Sequence, residues 1–280
     1  VKIDELPALA NTIRRDIIEM LVQAKSGHAA GPLGMAEVFT ALYFHVLRHD
    51  PQRPNWPDRD RLVLSNGHIC PVLYAAMARA GYFPISELKT YRQLGSRLQG
   101  HPSRLDLPGL ENSSGPLGQG YSQAVGMALA LKMEGRTAQV YCVSSDGEHD
   151  EGQVWEAAMA AAKYRLHNLA VIIDRNNIQI DGHTEDVMPL ESLRAKYEAF
   201  NWYVIEIDGH NIREIIEACE MAKAVFEKPV AIIARTIPGK GVDFMQWRPE
   251  WHGKAPTPAE AQKALRELRS LGGRVKRDED

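Results

Sequence analysis

Apolar residues at Leu6, Leu9, Ile13, Ile17, Met20 and Leu21 recur at helical spacing and predict a helix over 6–24 with one buried face. That helix runs into Ser26-Gly27-His28-Ala29-Ala30-Gly31-Pro32-Leu33-Gly34, whose glycines and proline predict an irregular loop presenting His28. A second helix is expected over 35–47, followed by a proline-rich surface connection, HDPQRPNWPDRD. Arg61 to Leu64 reads as a short buried strand, and Cys70 to Ala80 as a helix; Ser86 is the expected N-cap of a further short helix. Residues 95–120 are rich in Gly, Pro and Ser and form a segment too long for a passive connection, with a helix over 119–132 behind it. Apolar runs at 140–143 and 169–173 flank a helix at 152–164, and strands at 202–207 and 229–236 flank a helix at 211–226. A polar helix over 258–271, ending at Gly272-Gly273 before a charged tail, closes the pattern. Strands alternating with helices predict an α/β fold with a mostly parallel sheet and helices on both faces. No boundary is visible before about residue 255, so residues 1–257 read as one domain and 258–280 as a C-terminal helix and tail.

Composition narrows the class. A chain of 280 residues can form one large α/β domain or two small ones. A formal charge of −3 gives no reason to expect a nucleic-acid partner. No run of eighteen apolar residues indicates a membrane span, and residues 1–16 lack the apolar core of a signal peptide. Cys70, Cys142 and Cys219 have no CxxC spacing and read as reduced interior thiols, which fits a cytoplasmic protein.

The candidate chemistry lies at the strand ends. The run Val140–Val143 ends in an acidic, glycine-containing turn, SSDGEHDEG, and the run Leu169–Ile173 ends in Asp174-Arg175-Asn176-Asn177-Ile178. In open parallel α/β sheets ligands sit beyond the carboxyl ends of the strands, so Asp146 and Asn176, thirty positions apart, are expected side by side. Both offer hard oxygens suited to Mg²⁺ or Ca²⁺. Four histidines also stand on glycine-rich turns: His28, His68 in Ser65-Asn66-Gly67-His68, His101 in Gly100-His101-Pro102, and His252 in Trp251-His252-Gly253-Lys254. The helix expected from Gln119 starts beside Gly115-Pro116-Leu117-Gly118, and a helix N-terminus next to glycines suits an anion.

The pair Ser145-Asp146-Gly147 and Asn176-Asn177 resembles the thiamine-diphosphate motif, with serine in place of its first glycine. Taken with SGH and GPLGM, LSNGH, GHP, SSGPLGQG and GKG…EWHGKAP, all in the family's order over residues 10–257, the chain resembles transketolase. The resemblance implies a thiamine-diphosphate-binding fold and ketol transfer, the passage of a two-carbon unit from a ketose to an aldose, on sugars or sugar phosphates. It implies Asp146, Asn176 and the Ile178 carbonyl as ligands of Mg²⁺ (Ca²⁺ or Mn²⁺ being alternatives). Gly147 would let backbone approach the diphosphate, and His68 and His252 would touch the diphosphate or the reaction centre. Gly115 would contact the aminopyrimidine, while Leu117 and Ile180 would pack on the thiazolium, or else be ordinary core. His28, His101 and His252 would face the donor's first hydroxyls, where an imidazole can donate or accept near neutrality. Glu151 matches a glutamate at the subunit interface; its other reading is a carboxylate at a helix start. Lys240 would help close the site or would simply be solvated.

The resemblance covers only the first of the family's three domains. It therefore implies a partner chain that brings the pyrimidine-binding domain and its catalytic glutamate, in a heterotetramer with two shared sites. Three other readings stay open. A different thiamine-diphosphate enzyme would share the metal motif but not the set of histidine turns. A transketolase-like subunit for a branched or sulfonated sugar is compatible with this half. A non-catalytic partner subunit is disfavoured because Asp146, Asn176 and the histidines are all present, and no GxGxxG follows the first strand to suggest a nicotinamide enzyme.

Overall fold

The structure, a computed structural model, describes residues 1–270; the expected end of the last helix at Leu271, the glycine pair and the charged tail lie outside the described residues. Helix α1 (Leu6–Ala24) forms as its apolar spacing predicts and ends at Lys25 in a left-handed conformation. The loop expected up to Gly34 is partly helical. It folds into α2 (Ala30–Gly34), because Pro32 falls in the first turn, where a backbone N–H has no helical acceptor. The single helix expected over 35–47 is replaced by α3 (Ala36–Ala41) and a π-helical turn over Leu42–Val46.

Strand β1 (Arg61–Leu64) leads through the His68 turn into α4 (Cys70–Ala80). The short helix after it is a 3₁₀ helix over Ile85–Thr90 whose N-cap is Pro84, with no side-chain cap bond, so Ser86 does not cap it. Then come α5 (Gln119–Met133), β2 (Val140–Ser145), α6 (Gly152–Lys163) and β3 (Leu169–Arg175). The next stretch is not legible as elements in the sequence: a hairpin of β4 (Ile178–Gln179) and β5 (Gly182–His183), then α7 (Thr184–Val187) and α8 (Leu193–Ala199). Strand β6 (Tyr203–Asp208), α9 (Ile212–Ala224), β7 (Val230–Arg235) and α10 (Pro258–Ser270) complete the described chain.

The main sheet has the order β1-β2-β3-β7-β6 with every pairing parallel. Strands covered on both faces read as continuous apolar runs, and successive residues of β2 and β3 divide between two cores. Tyr141, Val143, Ala170 and Ile172 face α1, α3, α4, α9 and α10, whereas Val140, Cys142, Val171 and Ile173 face α5, α6 and α8. Helix α10 buries Ala261, Ala264 and Leu268 in the first of these cores, and Asn11 on α1 donates to the Leu268 carbonyl at 2.9 Å. The three cysteines are free and buried. Among the described residues no helix is long and apolar enough to cross a membrane.

Candidate active site

The turns after the three adjacent strands β1, β2 and β3 carry His68, Asp146 and Asn176. Ser145 on β2 is registered against Asp174 on β3, so the turns that follow the two strands meet. The Asp146 carboxylate accepts from the Asn177 N–H at 2.7 Å and the Gly147 N–H at 2.8 Å, which brings the acidic turn and the Asn-Asn segment together as expected. Asn176 donates through Nδ2 to Asp174 at 2.8 Å, and its Oδ1 accepts from the Ile178 N–H at 3.0 Å. Asp174 also accepts from the Thr236 hydroxyl, and burial pushes its pKa up to about 7. Burial likewise raises Asp146, while the Arg175 guanidinium 3.0 Å away and the two backbone N–H groups pull it back. Nothing in the sequence singles out Arg175. It is buried and also meets Glu185 at 2.5 Å and Glu191 at 3.0 Å.

Three of the four histidines converge. The rings of His28, His68 and His252 lie 5.0–5.5 Å apart, although they come from the α1–α2 loop, the turn after β1 and the segment before α10. Desolvation lowers the pKa of all three, His28 to about 4, and their mutual repulsion lowers His28 and His68 further. They are therefore neutral imidazoles at pH 7. His101 is exposed and stands 3.7 Å from where a Cβ on Gly115 would be, with a pKa lowered by desolvation and by Arg92. A Cβ on Gly67, one residue before His68, would fall 2.5 Å from Ser114 Oγ and 3.0 Å from the Gly115 nitrogen, so the His68 turn and the 114–118 loop pack backbone to backbone.

Leu117 is half-buried, and Ile180 is 71% exposed, so Ile180 is not ordinary core. Glu151 is exposed at the start of α6 and makes no side-chain cap bond, so it does not serve as the cap of that helix. Lys240 is buried, which overturns the reading of a solvated lysine.

Two residues of the acidic turn to which the resemblance assigns no role are both buried. Glu148 accepts four hydrogen bonds: from Ser65 Oγ at 2.5 Å and the Gly118 N–H at 2.7 Å on one oxygen, and from Ser144 Oγ at 2.8 Å and the Ser145 N–H at 3.3 Å on the other. His149 donates from Nδ1 to the Ser145 carbonyl at 2.7 Å and accepts at Nε2 from Tyr197 at 2.7 Å, with Tyr121 a further 3.0 Å along. A cluster of charges in a sequence normally reads as a solvated loop. Only Ser65, Ser144 and Ser145, small hydroxyl residues at the ends of apolar runs, hint that these side chains turn inward.

The site fits a diphosphate cofactor with a divalent ion. Asp146 and Asn176 supply hard oxygens. Both amide atoms of Asn66, Ser114 Oγ and His28 Nδ1 are buried without hydrogen-bond partners among the described residues. Buried polar atoms are normally paired, so these orphans, in or beside the turns that carry the histidines, mark where a polar ligand would be held.

A parallel α/β sheet with such strand ends defines a cofactor-binding enzyme domain. The family model "Transketolase, thiamine diphosphate binding domain" matches residues 7–272, and the chain belongs to that family. It is 45% identical over 268 residues to a 6-deoxy-6-sulfo-D-fructose transketolase subunit of Clostridium sp. (strain MSTE9), covering 96% of this chain and 98% of that protein. It is 39% identical to an apulose-4-phosphate transketolase subunit of Phocaeicola vulgatus, covering 96% and 95%. The transketolase of Campylobacter jejuni superposes with a TM-score of 0.90 at 36% identity, covering 96% of this chain but 43% of that longer one.

Proposed function

We propose that this chain is the diphosphate-binding subunit of a two-chain transketolase, transferring a two-carbon ketol unit from a ketose to an aldose. One observation carries the reading: the Asp146 turn and the Asn176-Asn177 segment meet beyond β2 and β3, and His68, on the turn after the adjoining β1, gathers with His28 and His252 beside buried polar atoms that lack partners among the described residues. Asp146, Asn176 and the Ile178 carbonyl would hold Mg²⁺, and Gly147, Gly115, His68 and His252 would hold the cofactor, with Leu117 and Ile180 against its thiazolium. Bound there, thiamine diphosphate supplies the carbon nucleophile and the electron sink for breaking the ketose C2–C3 bond. This chain's own part is to orient the sugar and handle protons. His28, His101 and His252 face the substrate's hydroxyls, and as neutral imidazoles they accept a proton there without first losing one.

The exposed Glu151 supports a partner contact, and relatives nearly coextensive with this chain are named as transketolase subunits. The partner would bring the pyrimidine-binding domain, in a heterotetramer. Those relatives are named for 6-deoxy-6-sulfo-D-fructose and apulose 4-phosphate, which favours a modified ketose as donor over xylulose 5-phosphate. Three buried free thiols support a reducing, cytoplasmic setting.

The test is ketol transfer to ribose 5-phosphate with thiamine diphosphate and Mg²⁺. Xylulose 5-phosphate, 6-deoxy-6-sulfofructose and apulose 4-phosphate serve as donors, with this chain alone and mixed with a chain resembling the pyrimidine-binding half. Activity in the mixture alone supports the shared site, and the preferred donor identifies the sugar. A mixture that forms no complex and binds no cofactor overturns the proposal in favour of a non-catalytic subunit.

A further inference from the structure

Glu148 is a buried carboxylate with no cation against it among the described residues; its contacts are four donors drawn from three separate segments. Ser65 begins the turn that ends in His68. Gly118, in a left-handed conformation, closes the loop that holds Ser114, Gly115 and Leu117 and opens α5. Ser144 and Ser145 are the last residues of β2 before Asp146. Ser65 Oγ passes the connection on by accepting the Tyr121 N–H at 3.0 Å, and a Cβ on Gly120 would fall 2.6 Å from Ser65 Cα. The metal turn, the histidine turn and the glycine-rich loop thus meet on one side chain.

We infer that Glu148 is a positioning residue for cofactor binding, setting the relative places of the Asp146 turn, the His68 turn and the 114–118 loop through its two carboxylate oxygens. The requirement is for a carboxylate and not merely a side chain of that size. Each oxygen accepts one hydroxyl, which can rotate, and one backbone N–H, which cannot. A glutamine there must direct its NH₂ at either the Gly118 N–H or the Ser145 N–H, donor against donor, in both of its orientations. A residue that served only to stabilise the fold could tie together any segments. All the segments held by Glu148 carry candidate site residues. The inference rests on the cofactor-binding reading of this site but not on which sugar is used.

The experiment is calorimetric titration of thiamine diphosphate with Mg²⁺ into the complex with the partner chain, for the wild type, Glu148→Gln, Ser65→Ala, Ser144→Ala and the double variant Glu148→Gln/Ser65→Ala. Leu268→Ala, in α10 and outside the site, serves as a control for stability loss alone. Glu148→Gln is expected to weaken cofactor binding by on the order of 10–100-fold, as losses of second-layer support do. Ser65→Ala is expected to weaken it by about threefold or more, and the double variant by less than the product of the two single losses, because the two share one contact. Leu268→Ala lowers the melting temperature and leaves cofactor affinity within about twofold. Wild-type affinity in Glu148→Gln, or a loss in Leu268→Ala as large as that in Glu148→Gln, overturns the inference. If Glu148→Gln does not fold, the serine variants decide it: weakened binding in both supports it and wild-type binding in either overturns it. A wild-type complex that binds no cofactor overturns the functional reading first, and this inference with it.

Discussion

His149 offers a test of the buried turn that needs neither cofactor nor partner. Its ring is enclosed, with Nδ1–H committed to the Ser145 carbonyl and Nε2 accepting from Tyr197, so a second ring proton would enter a desolvated site and force the Tyr197 hydroxyl to turn round. Desolvation lowers its pKa from 6.5 to about 4. Between those values the folded ring is neutral while the unfolded one is protonated. The unfolded state therefore binds more protons, and this residue's contribution to stability falls as pH drops through 6.5 towards 4. A full shift of this size is worth about 3 kcal/mol, of which about 2 kcal/mol is lost between pH 7 and pH 5. His149→Gln keeps one donor and one acceptor but cannot titrate. It is expected to be less stable than wild type by about 1 kcal/mol at pH 7, for imperfect hydrogen bonds, and more stable by a similar margin at pH 5. Urea unfolding followed by tryptophan fluorescence reads this directly, since Trp155 packs on His149 and Tyr197 and Trp202 packs on Tyr197. A difference between mutant and wild type that is the same at both pH values, within about 0.5 kcal/mol, would refute the burial of a neutral ring.

Three further outcomes follow from the geometry. Asp146→Asn is expected to weaken Mg²⁺-dependent cofactor binding by at least about 100-fold, the upper end of what a second-layer loss costs, as measured by titration of the complex. Asp174→Ala removes the acceptor that orients the Asn176 amide and is expected to raise the Mg²⁺ concentration needed for half-maximal cofactor binding by about 10–100-fold. Asp174→Asn, which still offers Asn176 an oxygen, should shift that concentration by less than about threefold. Leu268→Ala opens a cavity between α10 and α1 and is expected to cost about 2–5 kcal/mol in urea unfolding.

The parallel sheet is legible because a strand buried on both faces must be apolar throughout, as VYCV at 140–143 and LAVII at 169–173 are. The meeting of the Asp146 turn with the Asn176-Asn177 segment follows from that topology. The region 30–46 is harder, because a proline that breaks a helix interior is harmless in a first turn, and only the start of α2 at Ala30 tells which applies to Pro32. Ser86 resembles a cap, yet the turn begins two residues earlier than that role needs. Glu148 and His149 escape because residue type does not report burial. A glutamate can enter the interior only when enough donors await it, and those donors lie at positions 65, 118, 144 and 145, two of them backbone groups that no sequence displays. Arg175 is hidden for the same reason, since its three carboxylate partners come from the turn after β2, from α7 and from the loop before α8.

That arginine bears on how the protein is made. The Asp146 carboxylate is already balanced by a guanidinium and two backbone N–H groups within the chain itself. In small zinc domains the metal's binding energy is the folding energy, and the bare ligands repel one another until it arrives. Here the counter-charge is inherited from the polypeptide, so folding of the domain is expected not to wait on the proposed ion. Chelator treatment of the isolated chain should accordingly leave its melting temperature unchanged, and a collapse of the fold on chelation would show that the arginine does not play this part.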